Sequence, residues 1–83
     1  MKYELTRHAR NAMTERRIPI EWLERVLHAP EKTEPDKTDS QLVHHLARIP
    51  EHENRVLRVV LNPLVAPVRV VSAFFDRRMK GTL

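Results

Sequence analysis

The sequence predicts one small α+β domain, in which two N-terminal helices pack on a three- to four-stranded antiparallel sheet. Three observations predict this fold class. Apolar residues recur with helical spacing between residues 5 and 27, and they follow strand spacing between residues 41 and 75. Prolines mark the ends of these segments. With 83 residues, 41% of them hydrophobic, we expect a single core and a single domain over residues 1–83.

The first helix is predicted from Thr6 onward, because Thr6 suits an N-cap and the following apolar residues form one stripe. A short strand over Tyr3–Leu5 is compatible with the residues before it. The pair Ile18-Pro19 ends this helix, and Pro19 suits the first turn of a second helix that Pro30 terminates. The stripe of the first helix consists of Leu5, Ala9, Ala12, Met13 and Arg16.

Strands are predicted for the second half of the chain. Residues 30–40 are polar and contain two prolines, so we expect a connection with a short edge strand at 32–36. The last of the strands that follow is the most hydrophobic, which is typical of an inner strand. The three predicted strands are Gln41–Ile49, Arg55–Leu61 and Val68–Phe75.

The charges of the chain are sorted by segment. Residues 1–17 carry a formal charge of +3, residues 18–53 carry −4 and residues 54–83 carry +5, within a net charge of +4. If the two ends of the chain meet in the fold, their cations form one basic surface, as expected for a polyanion partner. The sequence therefore points to nucleic acid as a class of partner, without specifying which nucleic acid or whether it is cleaved.

Composition excludes several classes of function. The chain has no cysteine, hence no disulfide, no thiolate zinc site and no cysteine nucleophile. Its single glycine, Gly81, excludes the glycine-rich loops that bind nucleotide phosphates. The five histidines match no metal-ligand spacing, so we expect neither a metal nor another cofactor. There is no signal-peptide pattern and no apolar run long enough to span a membrane, so we expect a cytoplasmic protein.

Histidines and arginines are the residues that could carry chemistry. His8 borders the apolar stripe of the first helix, where a half-solvated imidazole suits acid–base work; alternatively, it packs against the sheet. His44 and His45 point to opposite faces of a strand, and we expect His45 to be the more exposed. Arginines near the ends of strands suit phosphate and phosphoryl-transfer chemistry. The candidate catalytic residues are His8, His45, Arg58, Arg77 and Arg78.

Further cations are candidates for nucleic-acid contacts. Arg16 is unusual because it falls inside an apolar stripe, so it either pairs with an acid or points into a cleft. Solvated surface charges and a solvated C-terminal tail are the alternative explanation for the other residues. The aromatic residues look directed to the core, which argues against a binder that stacks single-stranded bases. The candidate binding residues are Arg7, Arg10, Arg16, Arg55, Arg69 and Lys80.

Four motifs in order resemble the bacterial family known as domain of unknown function 4258. They are Thr6-x-His8-Ala9-x-x-Ala12-Met13-x-x-Arg16-x-Ile18, Val26-Leu27-x-x-Pro30, Leu57-Arg58-Val59-Val60 and the run from Val70 to Arg78. That family in turn resembles the RelE/ParE-like toxin group. The resemblance implies a helical pair on a small antiparallel sheet that acts on RNA or a topoisomerase, often beside an antitoxin that wraps the basic face. His8, Arg16, Arg58, Arg77 and Arg78 match positions of the narrower family.

Two functions follow as hypotheses. The first is a metal-independent endoribonuclease of toxin type, with His8 or His45 as acid or base and Arg58, Arg77 and Arg78 stabilising the phosphorane. The second is a basic binding module without chemistry, which acts on a protein or docks on nucleic acid. RNA or the ribosome is the candidate partner. A third reading is a domain whose acidic segment 30–40 covers its own basic ends, in a dimer. The sequence leaves the substrate, any antitoxin and the oligomeric state open.

Overall fold

A computed structural model describes residues 2–83, which form an α+β domain with two helices on one face of a five-stranded sheet. Short 3-10 turns lie at Pro50–His52 and Arg77–Met79. Within the described residues, neither helix has the length and apolarity that a membrane crossing requires. The elements in chain order are β1 (Tyr3–Leu5), α1 (Arg7–Arg16), α2 (Ile20–His28), β2 (Lys32–Pro35), β3 (Val43–Ile49), β4 (Arg55–Asn62) and β5 (Val68–Phe75).

The sheet is larger than predicted and mixed rather than antiparallel. Its strand order is β1-β5-β4-β3-β2, and β1 runs parallel to β5 while every other pair is antiparallel. The helices consequently lie between β1 and β2 in the chain rather than at its N-terminus. The edge strand expected at 32–36 is confirmed as β2. The short strand considered at Tyr3–Leu5 is confirmed as β1. The prediction of three or four antiparallel strands was wrong because the parallel partner of β1 lies far away in the sequence, and such pairing has no local signal.

Local sequence explains both helices. The Thr6 hydroxyl accepts a hydrogen bond from the Ala9 N–H at 3.1 Å, which satisfies one free donor of the first turn of α1. Arg17 ends that helix in the left-handed conformation, with φ of 53°. Pro19 precedes α2 in extended conformation, and the fully buried face of α2 is formed by Leu23, Val26 and Leu27.

The core lies between the helices and one face of the sheet, and the opposite face carries no helix. Burial of the apolar side chains of this core is the main term that favours folding. A hydrogen bond also connects the helices to the sheet, because the Tyr3 hydroxyl of β1 donates to Glu24 of α2 at 2.8 Å. Burial, together with this hydrogen bond, raises the pKa of Tyr3 to about 12. Residues fully buried in the core include Leu23, Leu27, Ile49, Leu57, Val59, Leu61 and Val70.

Helix α1 protects the part of β5 that β1 leaves unpaired. β1 reaches only Val70, so the carbonyl groups of the next residues face the sheet edge. The Thr6 hydroxyl donates to the Val71 carbonyl at 3.4 Å, and the Arg16 guanidinium donates to the Ala73 carbonyl at 3.5 Å. This contact explains why Arg16 interrupts an apolar stripe, because it satisfies backbone at a sheet edge.

We expect Thr6→Ala to lower the free energy of unfolding by about 1–2 kcal/mol, because it removes both the helix cap and the bond to Val71. Thr14→Ala is the control, since Thr14 is exposed within the same helix and bonds only the Arg10 carbonyl. Urea unfolding of both variants provides the measurement. Equal losses for the two threonines would contradict the assigned role of Thr6.

Candidate functional site: the groove on the open face

A groove crosses the face of the sheet that the helices leave uncovered, which we call the open-face groove. It lies between the loop after β2 and the 3-10 turn after β5, and its volume is about 470 Å³. Phe74 and Met79 supply apolar lining, and Arg58 on the central strand β4 is its most buried cation. The other charged or titratable side chains that line it are Glu34, Asp36, Lys37, His44, Asp76 and Arg78.

Arg58 is a buried charge with three partners. Its Nε and Nη2 atoms lie 3.0 and 2.9 Å from one oxygen of Asp76, whose side chain is only 3% exposed. Its Nη1 atom donates to Glu34 at 3.1 Å and to the Nδ1 atom of His44 at 2.8 Å. These partners come from β2, β3 and the end of β5, so one guanidinium connects three segments of the chain.

The hydrogen bonds of His44 assign its tautomer. A guanidinium can only donate, so the Nδ1 atom facing Arg58 accepts and carries no proton. The Nε2 atom then carries the hydrogen, which it donates to Asp36 Oδ1 at 2.7 Å. His44 therefore lies between a carboxylate and a guanidinium, and both of its ring nitrogens have hydrogen-bond partners.

Asp36 closes the loop after β2. Its second oxygen accepts the backbone N–H groups of Thr38 and Asp39 at 3.2 and 3.0 Å, which is the geometry of an Asx turn. The bond from His44, followed by these backbone bonds, holds the pKa of Asp36 well below its usual range. The loop is thus fixed to β3 by an ionised carboxylate.

Asp76 closes the other side of the groove. It accepts the Arg78 backbone N–H at 3.1 Å as the cap of the 3-10 turn, and the Arg78 guanidinium contacts both of its oxygens. Burial by itself raises the pKa of Asp76, but the hydrogen bonds from Arg78 and Arg58 outweigh burial and lower that pKa overall. The carboxylate therefore stays ionised and anchors the C-terminal turn over β4, where its own N–H donates to the Val56 carbonyl.

The predicted catalytic residues do not form one cluster. Arg58 and Arg78 meet at Asp76 in the open-face groove, while Arg77 lines a separate cavity. His8 is exposed on α1, on the opposite side of the sheet from Arg58. His45, expected to be the more exposed of its pair, faces the helices instead, and its Nδ1 atom lies 3.0 Å from the Leu27 carbonyl.

The predicted binding residues also divide between locations. Arg7 and Arg10 are exposed on α1, whereas Arg16 reaches the edge of β5. Arg69 is exposed at the start of β5 opposite Glu4 of β1. Arg55 and Lys80 line the same cavity as Arg77.

Sequence reasoning missed the acceptors of the groove. Strand alternation by itself gives His44 no role, and no local sequence signal singles out Asp36, Glu34 or Asp76. Strand alternation places His44, Arg58 and Phe74 on one face only once the register is known, in which Arg58 lies opposite Leu46 and Phe74. Among residues 2–83, no group of three or more histidines and acidic residues is arranged to hold a metal ion.

The fold and the groove define a small α+β domain with a helix layer on one face and a charged, internally paired network on the other. The chain belongs to the family described as domain of unknown function (DUF4258), whose sequence pattern matches residues 5–75. No curated protein and no solved structure matches the chain.

We expect Arg58→Met to lower the free energy of unfolding by about 3–5 kcal/mol, because the buried carboxylate of Asp76 then loses its ion pair with the guanidinium on β4. Arg78→Gln is the control, since the Arg78 side chain is 83% exposed and its loss leaves the buried pair intact.

The double variant Arg58→Met/Asp76→Asn should be more stable than Arg58→Met alone, because it removes both members of the buried pair. Urea unfolding at neutral pH provides the measurement for all three proteins. An Arg58→Met loss no larger than that of Arg78→Gln would contradict the structural role of Arg58.

Proposed function

We propose that this domain binds nucleic acid, with RNA as the substrate class, through exposed cations at one edge of the fold. We call this surface the basic edge, and it consists of Lys2, Arg7, Arg10, Arg17 and Arg69. The observation that supports it is the parallel pairing of β1 with β5, which places the basic N-terminal segment beside Arg69 of the C-terminal segment. Helix α1 follows β1 directly and packs on β5, so its arginines belong to the same side of the molecule.

Pairing of charges separates the basic edge from the arginines of the acidic middle segment. Within residues 2–83, the cations of the basic edge form no salt bridge. In the acidic middle segment, Arg25 pairs with Glu51 and Arg48 with Glu31, at 2.7 Å in both cases. Unpaired surface cations are the ones that phosphates can neutralise with release of counterions.

The open-face groove supports binding over catalysis. The Arg58 guanidinium is already engaged by Asp76, Glu34 and His44, so it is not free to stabilise a phosphorane. We therefore assign Arg58 and its partners to holding the fold in shape. RNA rather than DNA, the ribosome as a site of action and an acidic antitoxin as a competitor rest on the resemblance to the RelE/ParE-like toxin group.

One observation favours a second candidate function, the metal-independent endoribonuclease. His8 is exposed beside Arg7 on the basic edge, and it forms no side-chain hydrogen bond within residues 2–83. A free imidazole can take the proton of an RNA 2′-hydroxyl as that oxygen attacks the adjacent phosphorus. The P–O5′ bond then breaks, which leaves a 2′,3′-cyclic phosphate and a 5′-hydroxyl once the departing oxygen is protonated.

We expect Arg7→Gln/Arg10→Gln to weaken binding of a single-stranded RNA 12-mer and to flatten its salt dependence. The slope of log affinity against log salt should decrease by roughly 0.7 for each lost phosphate contact. Lys32→Gln/Lys37→Gln is the matched control, because it removes the same charge from exposed positions in and after β2, at the opposite edge of the sheet. Fluorescence anisotropy over a salt series is the measurement, and equal effects of the two pairs would contradict the assignment.

We expect cleavage, if His8 is the catalytic base, to persist in EDTA and to fall by about a hundredfold or more in His8→Ala. The control is His28→Ala, which removes an exposed histidine from α2. Purified protein is incubated with total RNA, with and without ribosomes, and fragments are resolved on gels. RNA that stays intact with the wild-type protein under both conditions would eliminate the ribonuclease and leave the binding function.

A further inference from the structure

A second cavity lies at the C-terminal end of β5, and we call it the C-terminal cavity. Its volume is about 350 Å³, which is in the size range of sites for small ligands. Arg55 enters it from the start of β4 and Phe75 from the end of β5, while Arg77 and Lys80 come from the turn that follows. It is distinct from the open-face groove, with which it shares only Asp76.

The charge of this cavity is not neutralised by the protein. Among residues 2–83, neither Arg55 nor Arg77 nor Lys80 takes part in a salt bridge. The one acid of the lining, Asp76, already accepts hydrogen bonds from Arg58 and Arg78 on its other side. The cavity therefore presents three cations to a ligand, and an anion is the ligand that they suit.

The wall of the cavity also contains an aromatic ring. Phe75 is half-buried, and its ring lies 4.6 Å from that of His52 and 6.2 Å from that of Trp22. These neighbours fix the orientation of the phenyl ring, so it offers a preformed apolar wall next to the cations. As the sequence predicts, Phe75 packs against the core, but part of its side chain also lines this cavity.

We propose that the C-terminal cavity binds one nucleotide unit, with its phosphate against Arg55, Arg77 and Lys80 and its base against Phe75. Arginine forks match phosphate oxygens, and an aromatic wall accepts any base by stacking. This inference rests on the proposed function for its biological source, which is an RNA strand bound along the basic edge. A free nucleotide has the same chemistry, and the test separates these sources.

The backbone that carries two of the cations is held in place. Asp76 caps the turn, its carbonyl accepts the Met79 N–H at 3.1 Å, and Asp76 is itself clamped by Arg58. The backbone of the turn that carries Arg77 and Lys80 is thus held in place before a ligand arrives, which lowers the entropic cost of binding. The Arg58 network contributes to this site by positioning the turn rather than by contact.

The test uses the full chain and three probes: adenosine 5′-monophosphate, adenosine and ribose 5-phosphate. In an NMR titration with adenosine 5′-monophosphate, we expect the amide chemical-shift changes to reach saturation and to be concentrated at the residues of the C-terminal cavity. The other two probes should bind at least about fivefold more weakly, because each lacks the base or the phosphate. A monophosphate that binds no better than ribose 5-phosphate, or that shifts amides elsewhere, overturns the proposal.

Variants separate the two parts of the site. Arg77→Gln/Lys80→Gln, at exposed positions, should weaken the monophosphate about tenfold or more, while Arg7→Gln/Arg10→Gln leaves it unchanged. Phe75→Leu should weaken the monophosphate at least about fivefold and leave ribose 5-phosphate unaffected. Arg55→Gln tests the cavity independently if the loss of the Phe75 ring disturbs the packing of Trp22.

Failure of this proposal is distinguishable from failure of RNA binding. Monophosphate binding in the cavity without binding of the RNA 12-mer supports the nucleotide site and overturns the proposed function. Binding of the 12-mer that depends on Arg7 and Arg10 but not on Arg77 and Lys80 overturns the nucleotide site and supports the proposed function. Loss of 12-mer affinity in both pairs supports an RNA path that ends in the cavity.

Discussion

Arg58 is a permanent cation on the central strand, and three segments of the chain compensate for its burial. Asp76 contacts two nitrogens of the guanidinium, and Glu34 and His44 contact the third. Leaving such a group unpaired away from water would cost several kcal/mol, so the edge strand and the C-terminal turn are constrained to their observed positions. The loop after β2 joins the same network through Asp36 and His44. One ion pair thereby defines the shape of the uncovered face.

The cations of this protein therefore fall into two groups, those bonded within the fold and those without a salt-bridge partner among residues 2–83. Arg58 and Arg16 satisfy groups within the fold, one in an ion pair and the other at a backbone carbonyl. The cations of the basic edge and the C-terminal cavity have no such partner among residues 2–83, and they lie at the β1–β5 side of the sheet or at the end of β5. The acidic segment occupies the opposite edge, around β2. This separation makes the charge distribution asymmetric across the sheet, from the β1 edge to the β2 edge.

Sequence reasoning reached the elements of the fold but not their long-range arrangement. Helical spacing and proline boundaries predicted both helices, strand spacing predicted three long strands, and the polar, proline-containing segment 30–40 predicted the edge strand, because these signals are local. The parallel pairing of β1 with β5 has no local signal, since it joins residues at opposite ends of the chain. For the site, alternation separated His44 from His45 but did not say which of them faces the helices. That depends on register, and so does the meeting of His44 with Arg58.

The pairing of the first strand with the last also has a consequence for how the protein is made. During synthesis β1 and α1 emerge well before β5, the strand that pairs with β1, because the rest of the sheet lies between them in the chain. The acceptor of the Thr6 hydroxyl is the carbonyl of Val71, which lies 65 residues later in the chain. Contacts of such long sequence separation form late, because the loop must close before they are gained. The basic edge is therefore assembled only after β5 has been synthesised, and a chain truncated before β5 lacks it.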